Sequence, residues 1–183
     1  WLLLAYLIFN RSRTFSQQDL INLCWGDEEK TSDPNNALKS VFHRVRSTLD
    51  KLGDGMGRTL ILRKAGTYSW NGDVPMMLDT EMFENCCRAG ANDTDAERRM
   101  QDCCHAMELY PGDLLPKLAS EMWVVPAAAY YHGLYVETAE QTVCLLEEQG
   151  HIEQAIAQCR QAIAVEPYEE SLYAHLIRDL VQI

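Results

Sequence analysis

Apolar residues recur every three or four positions between Asp33 and Leu52, which is the clearest hydrophobic pattern in the chain. Asp33 is of a type that caps helix N-termini, Pro34 suits the first helical position, and no helix breaker follows until Gly53. The pattern therefore predicts an amphipathic helix over residues 33–52 that buries one face. The positions expected on its buried face are Leu38, Val41, Phe42, Val45, Leu49 and Leu52.

The other side of this predicted helix is polar and basic. Its side chains are of the types that bond base edges and phosphates from a helix in a major groove. A solvated surface helix, with His43 as an ordinary exposed residue, is the alternative interpretation, and the flanking sequence must decide between the two. The candidate DNA-contacting residues are Asn36, Lys39, Ser40, His43, Arg44, Arg46 and Ser47.

Two further helices are predicted before this one. Trp1–Asn10 is a Leu-rich stretch that predicts a short buried helix. Ser16 and Asp19 have the spacing of a capping box, which would start a second helix over Gln17–Trp25. An acidic loop, Gly26–Ser32, then leads to the third helix. Three helices joined in this way within about fifty residues are typical of small DNA-binding modules.

After the third helix the pattern changes to two short β-prone runs. Arg58–Arg63 and Thr67–Asn71 are separated by Lys64-Ala-Gly66, which predicts a β-hairpin with a tight turn. A hairpin in this place is the wing of a winged helix, and Arg63 and Lys64 would lie near its tip, suited to phosphate or minor-groove contacts. A purely structural hairpin with incidental charges is the alternative interpretation.

The rest of the chain has helical periodicity, interrupted by Gly, Pro and Asp. Pro126 should start or kink the third helix of this part. The stretch from Gly150 to Leu180 has the small residues and the Pro closure of a tetratricopeptide-like helix pair. The predicted helices are Asp79–Ala89, Thr94–Tyr110, Ser120–Gln149, Ile152–Val165 and Glu169–Ile183.

Charge is distributed unevenly along the chain. The net charge is −11, which argues against a simple nucleic-acid binder. However, residues 1–75 hold ten Lys/Arg and eight Asp/Glu, a net of +2, whereas residues 76–183 hold six and nineteen, a net of −13. We therefore expect two domains, 1–75 as a DNA-binding winged helix and 76–183 as an acidic helical domain, with the acidic surface held away from DNA.

Little in the sequence favours catalysis or a metal. The seven cysteines include no C-x-x-C spacing, so no metal site is expected, and a reducing cytoplasm is the expected location. His105 and Asp113 lack a convergent nucleophile and base, and the Gly53–Gly57 loop lacks the Lys-Ser/Thr of a phosphate-binding loop. We therefore expect no enzyme activity and no cofactor. We also expect no membrane span, since the longest apolar runs fall short of the roughly 18–20 residues that crossing a bilayer requires.

Specific segments resemble a known family. LLLAYLIFNRSRTFSQQDLINLCW, NNALKSVFHRVRSTLDKL and KAGTYSW resemble the winged helix of the bacterial antibiotic-regulatory-protein (SARP) type, which is similar to the OmpR-type DNA-binding domain. MELYPGDLLPKL, a following Trp123, and EEQGHIEQAIAQCRQAIAVEPYEESLYAHLI resemble the bacterial transcriptional activator domain that accompanies it. The two likenesses cover nearly the whole chain in the family's order.

The resemblance implies a mainly α fold: a winged helix-turn-helix of three helices and a β-hairpin wing, followed by an all-α tetratricopeptide-like domain truncated at its C-terminal end. The four-stranded sheet that precedes the first helix in this fold is missing, which we interpret as truncation at Trp1. The implied function is a cytoplasmic transcriptional activator that binds double-stranded promoter DNA.

In such proteins the third helix enters the major groove, which maps to Lys39, Ser40, His43, Arg44, Arg46 and Ser47, and the wing maps to Arg63 and Lys64. The resemblance also implies contact with RNA polymerase through the Gly26–Ser32 loop. The helical domain would serve oligomerisation, for example as a homodimer, or the input of a signal. The alternative function is a protein-interaction scaffold whose winged helix no longer binds DNA, which the net charge of −11 favours.

Overall fold

The computed structural model describes residues 1–26 and 32–182 and divides into two compact units, Trp1–Met76 and Met77–Ile183. In the first unit the α-helices and strands are α1 (Leu2–Phe9), β1 (Thr14–Ser16), α2 (Gln17–Trp25), α3 (Pro34–Leu49), α4 (Met56–Leu60), β2 (Ile61–Lys64) and β3 (Thr67–Trp70). In the second they are α5 (Asp79–Asn92), α6 (Ala96–Leu109), α7 (Val125–Glu148), α8 (Ile152–Val165) and α9 (Glu170–Gln182). The mainly α fold class expected from the sequence is confirmed.

The central helix α3 begins as predicted. The Asp33 carboxylate accepts a hydrogen bond from the Asn36 backbone N–H at 3.0 Å, and Pro34 occupies the first turn. Leu38, Phe42 and Leu49 are buried, whereas Leu52 is 73% exposed, so the prediction for Leu52 is wrong. The reason is that Asp50–Leu52 form a tighter 3₁₀ turn, which rotates Leu52 off the buried face.

The capping box at the start of α2 is also present. The Ser16 N–H donates to the Asp19 carboxylate at 2.8 Å, and the Asp19 N–H donates to the Ser16 hydroxyl oxygen at 3.1 Å. The backbone hydrogen bond from Ser16, followed by the side-chain one, lowers the pKa of Asp19. This local signal fixes where the second helix begins.

A three-stranded antiparallel sheet, in the order β1-β3-β2, closes the first unit. The predicted hairpin is present, with Ile61 opposite Trp70 and Lys64 opposite Thr67. The prediction of a strand from Arg58 is wrong at its start, because Met56–Leu60 form the short helix α4. The sequence pattern does not predict strand β1, since three residues are too few for a period-two pattern to show.

The second unit packs its helices mostly against sequence neighbours, α5 on α6, α6 on α7, α7 on α8 and α8 on α9. Such packing is typical of helical-repeat domains. Pro126 lies in the first turn of α7, so it starts that helix. The prediction that this helix begins at Ser120 is wrong by five residues, since a 3₁₀ turn at Pro116–Leu118 and further turns precede it.

Aromatic side chains form much of the core near the YPGDLLP segment. Tyr110 stacks on Tyr135 with ring centroids 4.5 Å apart, and Phe83 lies 5.5 Å from Tyr110. The Tyr110 hydroxyl donates to Glu166 at 3.3 Å.

Elsewhere in the second unit, Gly90 lets α5 approach α6 closely, since a β-carbon at Gly90 would lie 2.5 Å from the Cys103 sulfur. Among the described helices, none combines the length and hydropathy that crossing a bilayer requires.

Candidate nucleic-acid interface

The outer face of α3 is exposed and carries positive charge. Its polar residues project from a helix whose opposite side is fixed in the core by Leu38, Phe42 and Leu49. The sequence of α3 contains three Lys/Arg and no Asp/Glu. The candidate residues on this helix that are exposed are Asn36, Lys39, Ser40, His43, Arg44 and Ser47.

The β2–β3 hairpin presents two more cations. Its two-residue turn has positive φ at both Ala65 (48°) and Gly66 (82°), as the commonest two-residue hairpin turns require. Arg63 and Lys64 are exposed beside this turn. The Arg63 guanidinium lies 5.5 Å from the centroid of the Tyr68 ring, within the range of a cation–π contact, and the residue remains exposed.

The helix and the hairpin are joined by a ring stack in the core. The Phe42 and Tyr68 rings are nearly parallel, with an interplanar angle of 11° and centroids 4.1 Å apart. Phe42 comes from the inner face of α3, and Tyr68 comes from the central strand β3. The basic face of α3 and the hairpin tip are therefore held by one core rather than by separate loops.

Arg46 differs from the other candidate residues because its side chain is half-buried against the hairpin. Its Nη2 donates to the Ile61 carbonyl at 3.1 Å, and its guanidinium lies 5.7 Å from the Phe42 ring centroid. Its Nε is buried without an acceptor among the described residues. Helical periodicity predicts that Arg46 lies at the edge of the basic face of α3. The structure shows that this edge faces strand β2.

Gly57 is a structural residue of this region that sequence reasoning missed. A β-carbon at Gly57 would lie 2.5 Å from the Arg46 carbonyl oxygen and 2.6 Å from the Arg46 Cα. The Gly57 N–H also donates to the Asp50 carboxylate at 2.8 Å. This close approach of α4 to α3 comes directly before the start of β2 at Ile61. The glycines at positions 53, 55 and 57 could have indicated this tight packing, since glycine is often found where two backbone segments approach closely.

Together α3 and the hairpin carry five Lys/Arg and no Asp/Glu. A surface of this charge is suited to the phosphates of a nucleic acid, and the exposed Asn, Ser and His side chains supply hydrogen-bonding groups for base edges. Most of the Gly26–Ser32 loop, for which polymerase contact is expected, lies outside the described residues, which omit 27–31.

The residues considered for catalysis do not come together. His105 lies on α6 and pairs with Glu108 at 3.7 Å on an exposed surface. Asp113 lines a cavity of about 160 Å³ with Tyr110 and Tyr131, whose pKa values are raised chiefly by burial. The arrangement offers no nucleophile beside a base among these side chains.

The fold and this surface define a class: a winged helix-turn-helix joined to a set of helices that pack mostly on their sequence neighbours, the architecture of a bacterial transcription regulator. Residues 78–183 match the family described as the bacterial transcriptional activator domain. The match covers more than half of the chain, and the chain belongs to this family. The family predicted from the sequence is thereby confirmed.

A curated relative supports the same classification over both units. The chain is 26% identical over 182 residues to the regulatory protein AfsR of Streptomyces coelicolor. The alignment covers 93% of this chain and 16% of that protein, so the chain spans a small part of its relative. The likeness therefore extends through the winged-helix unit, which the match to the family does not include.

Proposed function

We propose that this chain binds double-stranded promoter DNA through α3 and the β2–β3 hairpin and so activates transcription. The observation that carries the proposal is that two elements with exposed Lys and Arg side chains, α3 and the hairpin, share the Phe42–Tyr68 stack. An exposed helix face of Asn, Lys, Ser, His and Arg residues has the dimensions and chemistry to lie in a major groove. The family membership supports a transcriptional activator, and the DNA contacts are our inference.

Individual residues take different roles in this proposal. Lys39, His43 and Arg44 lie on the exposed face of α3 and would reach base edges or the phosphates that flank them. Asn36, Ser40 and Ser47 would add hydrogen bonds along the same face. Arg63 and Lys64 would hold a phosphate or enter the minor groove from the wing.

The acidic second unit would bind proteins rather than DNA. Its excess of carboxylates repels phosphates, which leaves its surface for oligomerisation as a homodimer, for signal input, or for RNA polymerase. The scaffold alternative shares this unit and differs only in the first, where it requires that α3 no longer bind DNA. The net charge of −11 is the observation in its favour.

A salt titration on duplex DNA tests the proposal against the scaffold alternative. The 183-residue chain is mixed with labelled duplexes at about 50 mM salt, and binding is followed by fluorescence anisotropy as salt rises. DNA binding predicts a complex that dissociates along a linear plot of log K against log salt. A scaffold predicts no complex even at the lowest salt.

Point variants then locate the contact surface. Lys39→Ala and Arg44→Ala should each cost about 1–3 kcal/mol if the side chain contacts a base edge. Arg160→Ala is the matched control, because Arg160 is an exposed cation on α8 in the acidic unit and its removal changes the net charge equally. If all three variants bind with the affinity of the parent chain, α3 is not the DNA-contacting helix.

A further inference from the structure

A group of polar side chains between α7 and α9 has no part in the proposed DNA contacts. Cys144 and Glu147 lie one turn apart on α7, and His175 lies on α9. His175 Nδ1 is 2.8 Å from Glu147 Oε1, although 28 residues separate them in sequence. One potential ligand atom from each of Cys144, Glu147 and His175 lies within 4.8 Å of the other two.

A fourth polar side chain, that of Asp179, lies one turn further along α9 than His175. It is fully buried, with a relative exposure of 0%, and neither of its carboxylate oxygens accepts a hydrogen bond from any described residue. Residues four apart share one side of a helix, so Asp179 is on the same side of α9 as His175. A buried carboxylate that lacks a partner is costly, so its presence calls for a cation or a proton.

We propose that Cys144, Glu147, His175 and Asp179 form a binding site for one Zn²⁺ ion that joins α7 to α9. Zinc in proteins is usually tetrahedral and takes thiolate, imidazole and carboxylate ligands at about 2.0–2.3 Å, so that neighbouring ligand atoms lie roughly 3.3–3.8 Å apart. The three grouped atoms lie within 4.8 Å of one another, and the His175–Glu147 pair, which is 2.8 Å apart, would open slightly to admit the ion.

The donor set favours zinc over the hard cations. Magnesium and calcium prefer oxygen ligands, whereas one thiol and one imidazole suit zinc or cobalt. The pairs Cys144/Glu147 and His175/Asp179 each project from one face of a helix, at spacings of three and four residues, so both helices are preorganised to contribute two ligands. This arrangement distinguishes the group from a chance cluster of surface acids.

The charges of the site also balance. Cys144 binds the metal as a thiolate, so one proton passes from its thiol to solvent when zinc enters. With two carboxylates the bound site would carry a net charge of −1. Arg178 Nη1 lies 3.6 Å from Glu147 Oε2 and offsets that charge. Cys144 is exposed to solvent, which gives the ion a route into the site.

Cobalt provides a direct test on the intact chain. After chelator treatment and its removal, the 183-residue protein is titrated with Co²⁺ under reducing conditions. The site predicts one ion per chain, a near-ultraviolet band from thiolate-to-cobalt charge transfer, and disappearance of that band when Zn²⁺ is added. Thermal unfolding of the second unit should also shift upward with Zn²⁺, because the ion binds the folded state.

Variants show which residues hold the ion. Cys144→Ala should abolish the charge-transfer band, and His175→Ala should weaken Zn²⁺ binding by more than about tenfold, since even residues behind the ligands change affinity by roughly 10–100-fold. Asp179→Asn keeps the shape of the buried side chain and should also weaken binding. His105→Ala is the matched control, because its His–Glu pair on α6 is exposed and is not part of the group.

Several outcomes would overturn the proposal. They are the absence of bound Co²⁺ or Zn²⁺ in the parent chain at micromolar metal, or a charge-transfer band that survives Cys144→Ala. Equal Zn²⁺ affinity in the parent and Asp179→Asn proteins, with both folded by circular dichroism, would remove Asp179 from the site. In that case a proton shared by Asp179 and Glu147 accounts for the buried carboxylate, and the four-ligand site is wrong.

Discussion

Arg46 on α3 donates from Nη2 to the Ile61 carbonyl at 3.1 Å, and this hydrogen bond joins the exposed helix to the first strand of the hairpin. Its guanidinium also lies over the Phe42 ring, 5.7 Å from the centroid. A cation held in this way is suited to positioning the wing relative to α3. We therefore assign Arg46 a different role from Lys39 and Arg44, which are exposed.

The first prediction follows from this role. Arg46→Ala should lower the stability of the first unit by about 1–3 kcal/mol, because the Ile61 carbonyl would then lack its donor. DNA affinity should fall to a similar extent for all duplexes, since the substitution misplaces the wing and removes no base-reading group. Urea unfolding and anisotropy on two unrelated duplexes measure both effects. Weaker binding confined to one DNA sequence, without destabilisation, would instead make Arg46 a base-reading residue.

The second prediction concerns the wing. Removing Arg63 and Lys64 together, as a double Ala variant, should weaken binding to every sequence and reduce the salt slope by about one unit for each phosphate that the side chains neutralise. Stability should change little, because both side chains are exposed at the turn. The measurement is the slope of log K against log salt for the parent and the double variant. Unchanged slopes with Lys39→Ala still impaired would show that the hairpin does not touch DNA.

The third prediction concerns the close approach of α4 to α3. Gly57→Ala would place a methyl group 2.5 Å from the Arg46 carbonyl oxygen, and backbone cannot move aside as a flexible side chain can. We expect the free energy of unfolding of the first unit to fall by about 1–3 kcal/mol, as for other overpacked sites. Gly72→Ala is the control, since nothing lies within 4 Å of its added carbon. Equal stability of the two variants would contradict the tight packing.

Sequence patterns predict the helices whose ends are set by residues close by in the chain. Helices α2 and α8 begin and end where the sequence predicts, and the caps at Ser16 and Asp33 are the reason for the starts of α2 and α3. Elements that depend on distant partners do not show in the sequence pattern. Strand β1 pairs with β3, which lies more than fifty residues later in the chain, and α4 packs against α3 through the close approach of Gly57 to Arg46.

The same division applies to functional groups. The exposed face of α3 follows from helical periodicity, so its candidate residues could be named from sequence. The environment of Arg46 could not, because it is made by a hairpin fifteen residues away. The group around Glu147 and His175 could not be predicted from sequence either, because these two residues come from different helices and are 28 residues apart. The sequence has no C-x-x-C spacing, which is why it predicts no metal site. Ligands paired across two helices leave no such spacing.

The last prediction is a pH dependence set by Asp19. Hydrogen bonds from Ser16 lower the pKa of this carboxyl group below its ordinary value of 3.8. A group whose pKa is lower in the folded state contributes stability above its unfolded pKa, and that contribution is lost as pH falls through the folded pKa. Asp19→Asn should therefore destabilise the first unit at neutral pH, and the difference from the parent chain should shrink below about pH 4.

Urea unfolding of both proteins between neutral and acid pH measures this difference, and an NMR titration of the Asp19 carboxyl carbon reports its pKa directly. Asp73→Asn is a useful control, because Asp73 is an exposed carboxylate of the same unit that caps no helix. This control accounts for the loss of one carboxylate charge that is not part of a helix cap. A gap for Asp19→Asn that stays constant as the pH falls would mean that the capping box acts through its geometry alone, without a contribution from the carboxylate charge.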